Sequence, residues 1–420
     1  MEVWVAAAIF VGTYVLIASD RIHRTVAALL GGVLMVVLGV VQQAEAFAAI
    51  DLNVIFLLLG MMVIANVMQQ TGVFQWLAIR AIRLARGDPW RILVVLCLLT
   101  AFASAFMANV TVVVLVGPIT FFVAAAMGVS PVPYLIAEIL ASNIGGTATL
   151  IGDPPNLLIA SAAGIDFTTF LVHLAPASLL ILGGFLVLAR VMFGGEMHRQ
   201  RAVLAAFDLD ESMVITDRRR LRISVTVMIL TVAGFLGAQL LGYEPATVAL
   251  LGATVLLIVA REDPEEVFRG VDWSTLLFFV GLFIVVEGIV AVGIIDAFAG
   301  WLFTATGGDT TTAAVALIWV SGLASGVIDN IPYTATLIPV VQDLSGRGIH
   351  AEPLWWSLAL GADLGGNLTL IGASANIVIA SLAVKAGHEL RFSTFLRYGV
   401  PTVVLSLAIA TAYVWVRYLL

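Results

Sequence analysis

The chain has 420 residues, 61% of them hydrophobic and only 11% charged, with a formal net charge of −7. No water-soluble domain of this size carries so few charges, so the composition excludes a soluble enzyme or binding module and marks an all-α polytopic membrane protein. The net charge says little about partners, because its distribution matters more than its sum, and no nucleic-acid partner is expected.

In chain order, apolar runs long enough for membrane spans fall at 3–18, 25–41, 52–70, 168–193, 223–241, 246–260, 273–293 and 393–416. The first run follows Met1-Glu2 with no basic region and no small-residue cleavage site, so it reads as a span and not a signal peptide. The one cysteine, Cys97, excludes an internal disulfide and a three-thiol arsenic site within one subunit. His23, His173, His198, His350 and His388 fall near the ends of runs or in loops, and none is read as a metal ligand.

With the N-terminus placed outside, 18 of the 20 Lys and Arg fall in the inside segments 19–24, 71–91, 128–133, 190–222, 261–272 and 383–397, leaving only Arg347 and Arg417 outside. The positive-inside rule selects that orientation, with both termini outside. The stretch 194–222 is the only long polar one. It holds Arg199, Arg201, Arg218, Arg219, Arg220 and Arg222, and reads as a cytoplasmic linker between a first half, 1–193, and a second, 223–420.

The halves repeat each other. At an offset of 221, Leu30-Gly31 meets Leu251-Gly252, Asp51 meets Asp272, Gly60 meets Gly281, Ala103-Ser104 meets Ala324-Ser325, Asn109 meets Asn330 and Pro118 meets Pro339. About five crossings per half, an odd number, turn the second half upside down and make an inverted-topology repeat.

Two matched polar segments interrupt the apolar pattern: Ser142-Asn143-Ile144-Gly145-Gly146-Thr147-Ala148-Thr149, running on to Asp153-Pro154-Pro155-Asn156, and Asp363-Leu364-Gly365-Gly366-Asn367-Leu368-Thr369, running on to Ser374-Ala375-Asn376. Non-helical backbone at membrane depth survives only inside protein or beside a cavity. Gly145, Gly146 and Gly152 weaken a helix, and Pro154-Pro155 removes two donors. The expectation is a half-helix over 132–141, an unwound stretch, and a second half-helix over 155–163, mirrored around 365–376. Half-helix N-termini offer N–H groups, while C-termini and unwound turns offer carbonyls, so the breaks suit an ion or a hydroxyl-bearing solute. The structural alternative is a pair of kinks packed on neighbours.

A second matched pair precedes the breaks: Phe106 to Thr111 around Asn109, and Val327 to Thr334 around Asp329-Asn330. Each lies between apolar arms of about 17 residues and reads as the tip of a re-entrant hairpin, the alternative being full spans joined by a short turn. Acids at membrane depth are functional candidates by default and suit proton carriage. Asp153, Asp329 and Asp363 lie in the polar segments, and Glu138 and Glu287 lie within spans. The alternative for each is a helix cap or a bond to neighbouring backbone.

At Ser142 to Asn156, Asp329 to Thr336 and Gly365 to Asn376 the chain resembles the ion transporter superfamily, and within it the arsenite-permease and P-protein branch, which neighbours sodium/proton antiporters and dicarboxylate carriers. The likeness covers essentially the whole chain. It implies a scaffold domain and a transport domain in each protomer, a homodimer, and a central site where hairpin tips meet unwound helices. The Asn109 tip would join the 142–149 turn, and the Asn330 tip the 365–369 turn. Dicarboxylate carriers have Ser-Asn-Thr at the first tip where this chain has Ala108-Asn109-Val110, which departs from carboxylate transport.

The resulting expectation is a secondary transporter in the inner or plasma membrane, surrounded by lipid, that exports arsenite or antimonite in exchange for protons. Arsenite is an uncharged triol at neutral pH and would be held by Asn109, Thr149, Asn330 and Thr369. Sodium/proton antiport is the first rival, with bound sodium as the only cofactor, and anion or dicarboxylate symport is next. A channel and an intramembrane enzyme fit less well: two breaks on opposite faces suit alternating access, and no peptidase or HExxH pattern is present. No phosphate-binding loop is present either, so any ATPase would be a separate cytoplasmic subunit docked on the basic loops.

Overall fold

A computed structural model describes residues 2–19, 21–85, 88–199 and 215–420. Of the expected linker, residues 200–214, including Arg201, lie outside the described residues, and the side chains of His198 and Arg199 do as well. All regular structure among the described residues is helical. The first half contains α1 (Glu2–Ser19), α2 (Arg24–Val37), α3 (Gln43–Ala48), α4 (Leu52–Gln70), α5 (Val73–Ala85), α6 (Pro89–Ser104), α7 (Asn109–Met127), α8 (Val132–Gly146), α9 (Pro154–Ala163) and α10 (Phe167–Arg199). The second contains α11 (Arg218–Leu241), α12 (Pro245–Ala260), α13 (Pro264–Arg269), α14 (Trp273–Ala291), α15 (Ile294–Ala305), α16 (Thr310–Ser325), α17 (Asn330–Gly346), α18 (Ala351–Gly365), α19 (Ser374–Lys385) and α20 (Phe392–Val414). Among the described residues, six helices are long and apolar enough to cross a membrane: α1, α4, α10, α11, α14 and α20. The run 25–41 yields a shorter helix than expected, because α2 gives way to a turn at Gly39, whose φ of 74° is left-handed.

Matched helices begin for the same reason. Asp51 and Asp272 cap α4 and α14, each accepting from the backbone of its own first turn. Asp88 and Asp309 cap α6 and α16 in the same way.

Packing repeats as well. One group brings α2 against α14 and α4 against α12. Gly281 lies on the backbone of Ala28, and Gly60 lies on that of Ala249, where an added Cβ would stand 2.7 Å from the carbonyl carbon. The two contacts interchange under the 221-residue offset. The other group brings α6 onto α8 and α16 onto α18. There Gly145 lies on the Ala101 backbone and Gly365 on that of Gly322. Lipid-embedded helices gain little from burying apolar surface against one another, so small residues that let backbones approach set these crossings.

The breaks begin later than the sequence suggested. α8 runs through Gly146, five residues past the expected end, and the irregular stretch is 147–153; its counterpart is 366–373. Gly145 and Gly146 are helical, and the neighbours they touch account for them: Gly145 meets Ala101, and a Cβ on Gly146 would stand 2.7 Å from Asn109 Oδ1. Ser142 and Asn143 are therefore helical residues as well.

Candidate substrate and ion site

Each break is tied down by an asparagine one turn beyond it. Asn156 Nδ2 donates to the carbonyls of Gly146 and Thr149, both at 3.1 Å. Asn376 Nδ2 donates to those of Gly366 at 2.8 Å and Thr369 at 2.9 Å. Thr149 Oγ1 reaches the Ala105 carbonyl, and Thr369 Oγ1 the Gly326 carbonyl at 2.6 Å, so each break also holds the loop of its own hairpin tip. These bonds satisfy carbonyls that the interrupted helices leave open.

The two halves meet through side chains. Asn143 Nδ2 donates to Asn367 Oδ1 at 2.9 Å and to Asn376 Oδ1 at 3.1 Å, while Asn367 Nδ2 donates to the Leu140 carbonyl at 3.2 Å. Asn109 Nδ2, on the first tip, donates to Asn143 Oδ1 at 3.3 Å and to Asp153 Oδ2 at 3.0 Å. Asn330 Nδ2, on the second tip, donates to the same Asp153 oxygen at 3.2 Å. Asp153 is thus buried between both tips. The second half has Ala373 at its position.

This centre opens on a cavity of about 210 Å³ whose wall includes Asn109, Asn330, Asp153 and Ser374. Among the helices whose first residues line it are α7, α9, α17 and α19, the four that follow the hairpin tips and the breaks. Among the described residues its one basic wall residue is Arg24, at the start of α2. Arg24 Nη1 lies 3.4 Å from Asp329 Oδ2 and bonds Ser374 Oγ, Nη2 lies 3.4 Å from Thr275 Oγ1, and the guanidinium sits over the Phe278 ring. Ser374 Oγ also donates to Asp329 Oδ2 at 3.1 Å. Nearby, Tyr14 donates to the Pro332 carbonyl at 2.7 Å, joining α1 to α17.

A family model described as citrate transporter (CitMHS) matches residues 14–361. The chain belongs to that family. Relatives of this CitMHS member include an uncharacterized transporter of Mycobacterium tuberculosis, 43% identical over 99% of this chain and 98% of that one. The 46 kDa membrane protein of Mycobacterium leprae is 41% identical over 99% of both chains. The human P protein is 34% identical over 99% of this chain but only 60% of its own length, so the expected P-protein likeness holds. Two solved structures share the fold: the Alcanivorax borkumensis YdaH transporter, with a TM-score of 0.61, 16% identity and coverage of 99% of this chain and 97% of that one, and Neisseria gonorrhoeae MtrF, described as illuminating a class of antimetabolite efflux pumps, with 0.62, 13%, and 92% and 84%. The protein is an integral membrane transporter.

In this CitMHS chain, most of the polar residues singled out from sequence gather around the cavity or directly behind it. Thr111 lines the wall. Ser142 pairs with Ser104 at 2.7 Å, and Thr147 Oγ1 donates to the Asn143 carbonyl at 2.9 Å. Thr334 is buried, with no partner for its hydroxyl among the described residues. Asp363 is wholly buried behind the first break, facing Thr147 and Asn156. Two acids stand apart. Glu138 is buried against Thr120, and Glu287 is half-buried near Glu45. The expected pairing of the Asn330 tip with the 365–369 turn takes a different form, because that amide donates across the halves to Asp153. Sequence reading misses Arg24, which counts there only as a topology charge. Its repeat partner is Pro245, so comparing the halves gave no signal.

Proposed function

We propose that this transporter is a proton-coupled secondary carrier with Asp153 as its coupling acid, exporting a small uncharged polyol, arsenite or antimonite, in exchange for protons. The observation that carries the reading is the bonding of both hairpin tips to one carboxylate that makes no ion pair among the described residues. An ionised Asp153 accepts a solute hydroxyl, and a proton on Asp153 occupies the same acceptor. Solute and proton therefore exclude each other, as exchange requires. Charge supports an uncharged cargo: the cavity wall carries Asp153 and Asp272 against Arg24 alone, and Arg24 is already paired with Asp329. The N–H groups at four helix starts, with Asn109 and Asn330, suit the oxygens of a triol.

Two observations favour rival cargoes. Asn109 Oδ1 is buried beside Asp153 without a donor, which suits a bound sodium ion and sodium/proton antiport. Arg24 and the four helix N-termini suit a carboxylate anion, and the family description names citrate. The reading also carries the halves 1–193 and 223–420 as inverted repeats about the linker 194–222, with outside termini in an inner or plasma membrane, a homodimer, and basic loops open to a cytoplasmic ATPase subunit. Its support is the packing repeated at an offset of 221 residues, becoming 220 at the breaks, together with the one-sided basic residues.

Proteoliposomes decide between the cargoes. Vesicles loaded with arsenite should lose it faster under an inward proton gradient, and flux indifferent to the gradient would sink the reading. Sodium-driven proton movement without arsenite selects the antiporter, and proton-stimulated citrate uptake selects the anion carrier.

A further inference from the structure

Asp363 is buried completely, and neither of its oxygens has a hydrogen-bond donor among the described residues. The groups it faces are the Asn156 amide, the Thr147 hydroxyl and, among ionisable groups, the Asp153 carboxyl, which adds a like charge and no donor. The amide and the hydroxyl both present acceptors. Asn156 spends its two N–H bonds on the Gly146 and Thr149 carbonyls, which fixes the amide's orientation and leaves Oδ1 buried without a partner. Thr147 has given its hydrogen to the Asn143 carbonyl. A carboxylate held against two acceptors, with no donor and no cation, would pay a large desolvation cost with nothing to offset it.

The repeat shows what belongs at this position. At the 220-residue offset Asp363 corresponds to Asn143, Asn156 to Asn376, and Thr147 to Asn367. Asn143 faces the equivalent acceptors, Asn376 Oδ1 and Asn367 Oδ1, and donates to both through its amide. The equivalent tip donor is also withdrawn from Asp363, since Asn109 donates to Asn143 whereas Asn330 donates to Asp153. We infer that Asp363 holds a resident proton and donates it to Asn156 Oδ1, binding the second half's α18 to the first break as Asn143 binds α8 to the second. This proton stays in place through the cycle. The inference deepens the proton-exchange reading by removing Asp363 from the carriers and leaving Asp153.

The test uses the full chain in vesicles of phosphatidylglycerol and phosphatidylethanolamine, with Asp363→Asn, whose amide supplies a permanent N–H, and Asp363→Ala, which supplies none. Infrared spectra of the wild type at neutral pH should contain a protonated-carboxyl band that D363N removes. D363N should keep its thermal stability and, where the wild type shows proton-driven flux, keep that flux within about two-fold; D363A should unfold at a lower temperature. Absence of the band, loss of flux in D363N, or thermal stabilisation of the wild type by sodium that D363N abolishes would each overturn the inference, the last by replacing the proton with a metal ion. If the wild type shows no proton-driven flux, the coupling proposal fails while the infrared and stability measurements still decide this one.

Discussion

Asp153 makes no ion pair among the described residues, yet two amides from opposite halves of the chain donate to one of its oxygens. Such bonds to a charged group are worth about 1.5–3 kcal/mol each. Asp153→Asn should fold, because its surroundings are already amides, but should lose gradient-driven flux about ten- to hundred-fold; an unchanged proton response in the variant would remove Asp153 from the coupling. Asn109→Ala should impair transport more than Asn330→Ala, since Asn109 bonds both Asp153 and Asn143 while Asn330 bonds Asp153 alone. Binding of the cargo, measured by calorimetry, checks that order. These residues could be read in sequence because a polar group in an apolar run has to find a partner. Their partners were harder to read: nothing local says that Asn330 will cross to Asp153, and this follows only from Ala373 standing where a second carboxylate would have been.

The elements were legible in kind and less so in extent. Matched Asp caps, prolines and apolar runs gave the order of helices and the presence of breaks. The helix over 132–146 outruns the expected 132–141 because Gly145 and Gly146 do not break it but let other groups come close. That difference predicts an outcome. Gly145→Ala and Gly365→Ala push a methyl into the Ala101 and Gly322 backbones and should each cost about 1–3 kcal/mol as overpacking. Gly183→Ala, in α10 with nothing within 4 Å of the added carbon, should cost nothing. Thermal unfolding in detergent compares the three. Equal melting of G145A and G183A would mean that the α6–α8 approach is looser than described.

Across the whole molecule, the site is assembled from elements that the chain brings together from both halves, and Arg24 ties it to the packing group of α2 and α14. The Arg24–Asp329 pair is partly open, with side chains 25% and 11% exposed, so it contributes no more than about 1 kcal/mol. Arg24→Gln should therefore leave the fold intact and speed modification of a cysteine placed at Ser374 about five-fold. Labelling at the wild-type rate would show that the pair does not hold α17 and α19 in place. Nothing in the sequence marks this latch, because a lone arginine at the start of a span is ordinary in a membrane protein.

The latch has no mate, since Pro245 occupies the corresponding place in the second half. A carrier with two equivalent halves would divide its time evenly between its two facings and saturate at the same cargo concentration on each. On the carrier mechanism proposed above, a pair made in one facing alone would favour it by no more than about 1 kcal/mol, at most a five-fold preference. Half-saturation should then differ between the two sides of the same vesicle, and at low cargo the protein would pass solute more readily in one direction than in the other, as a leaky rectifier does.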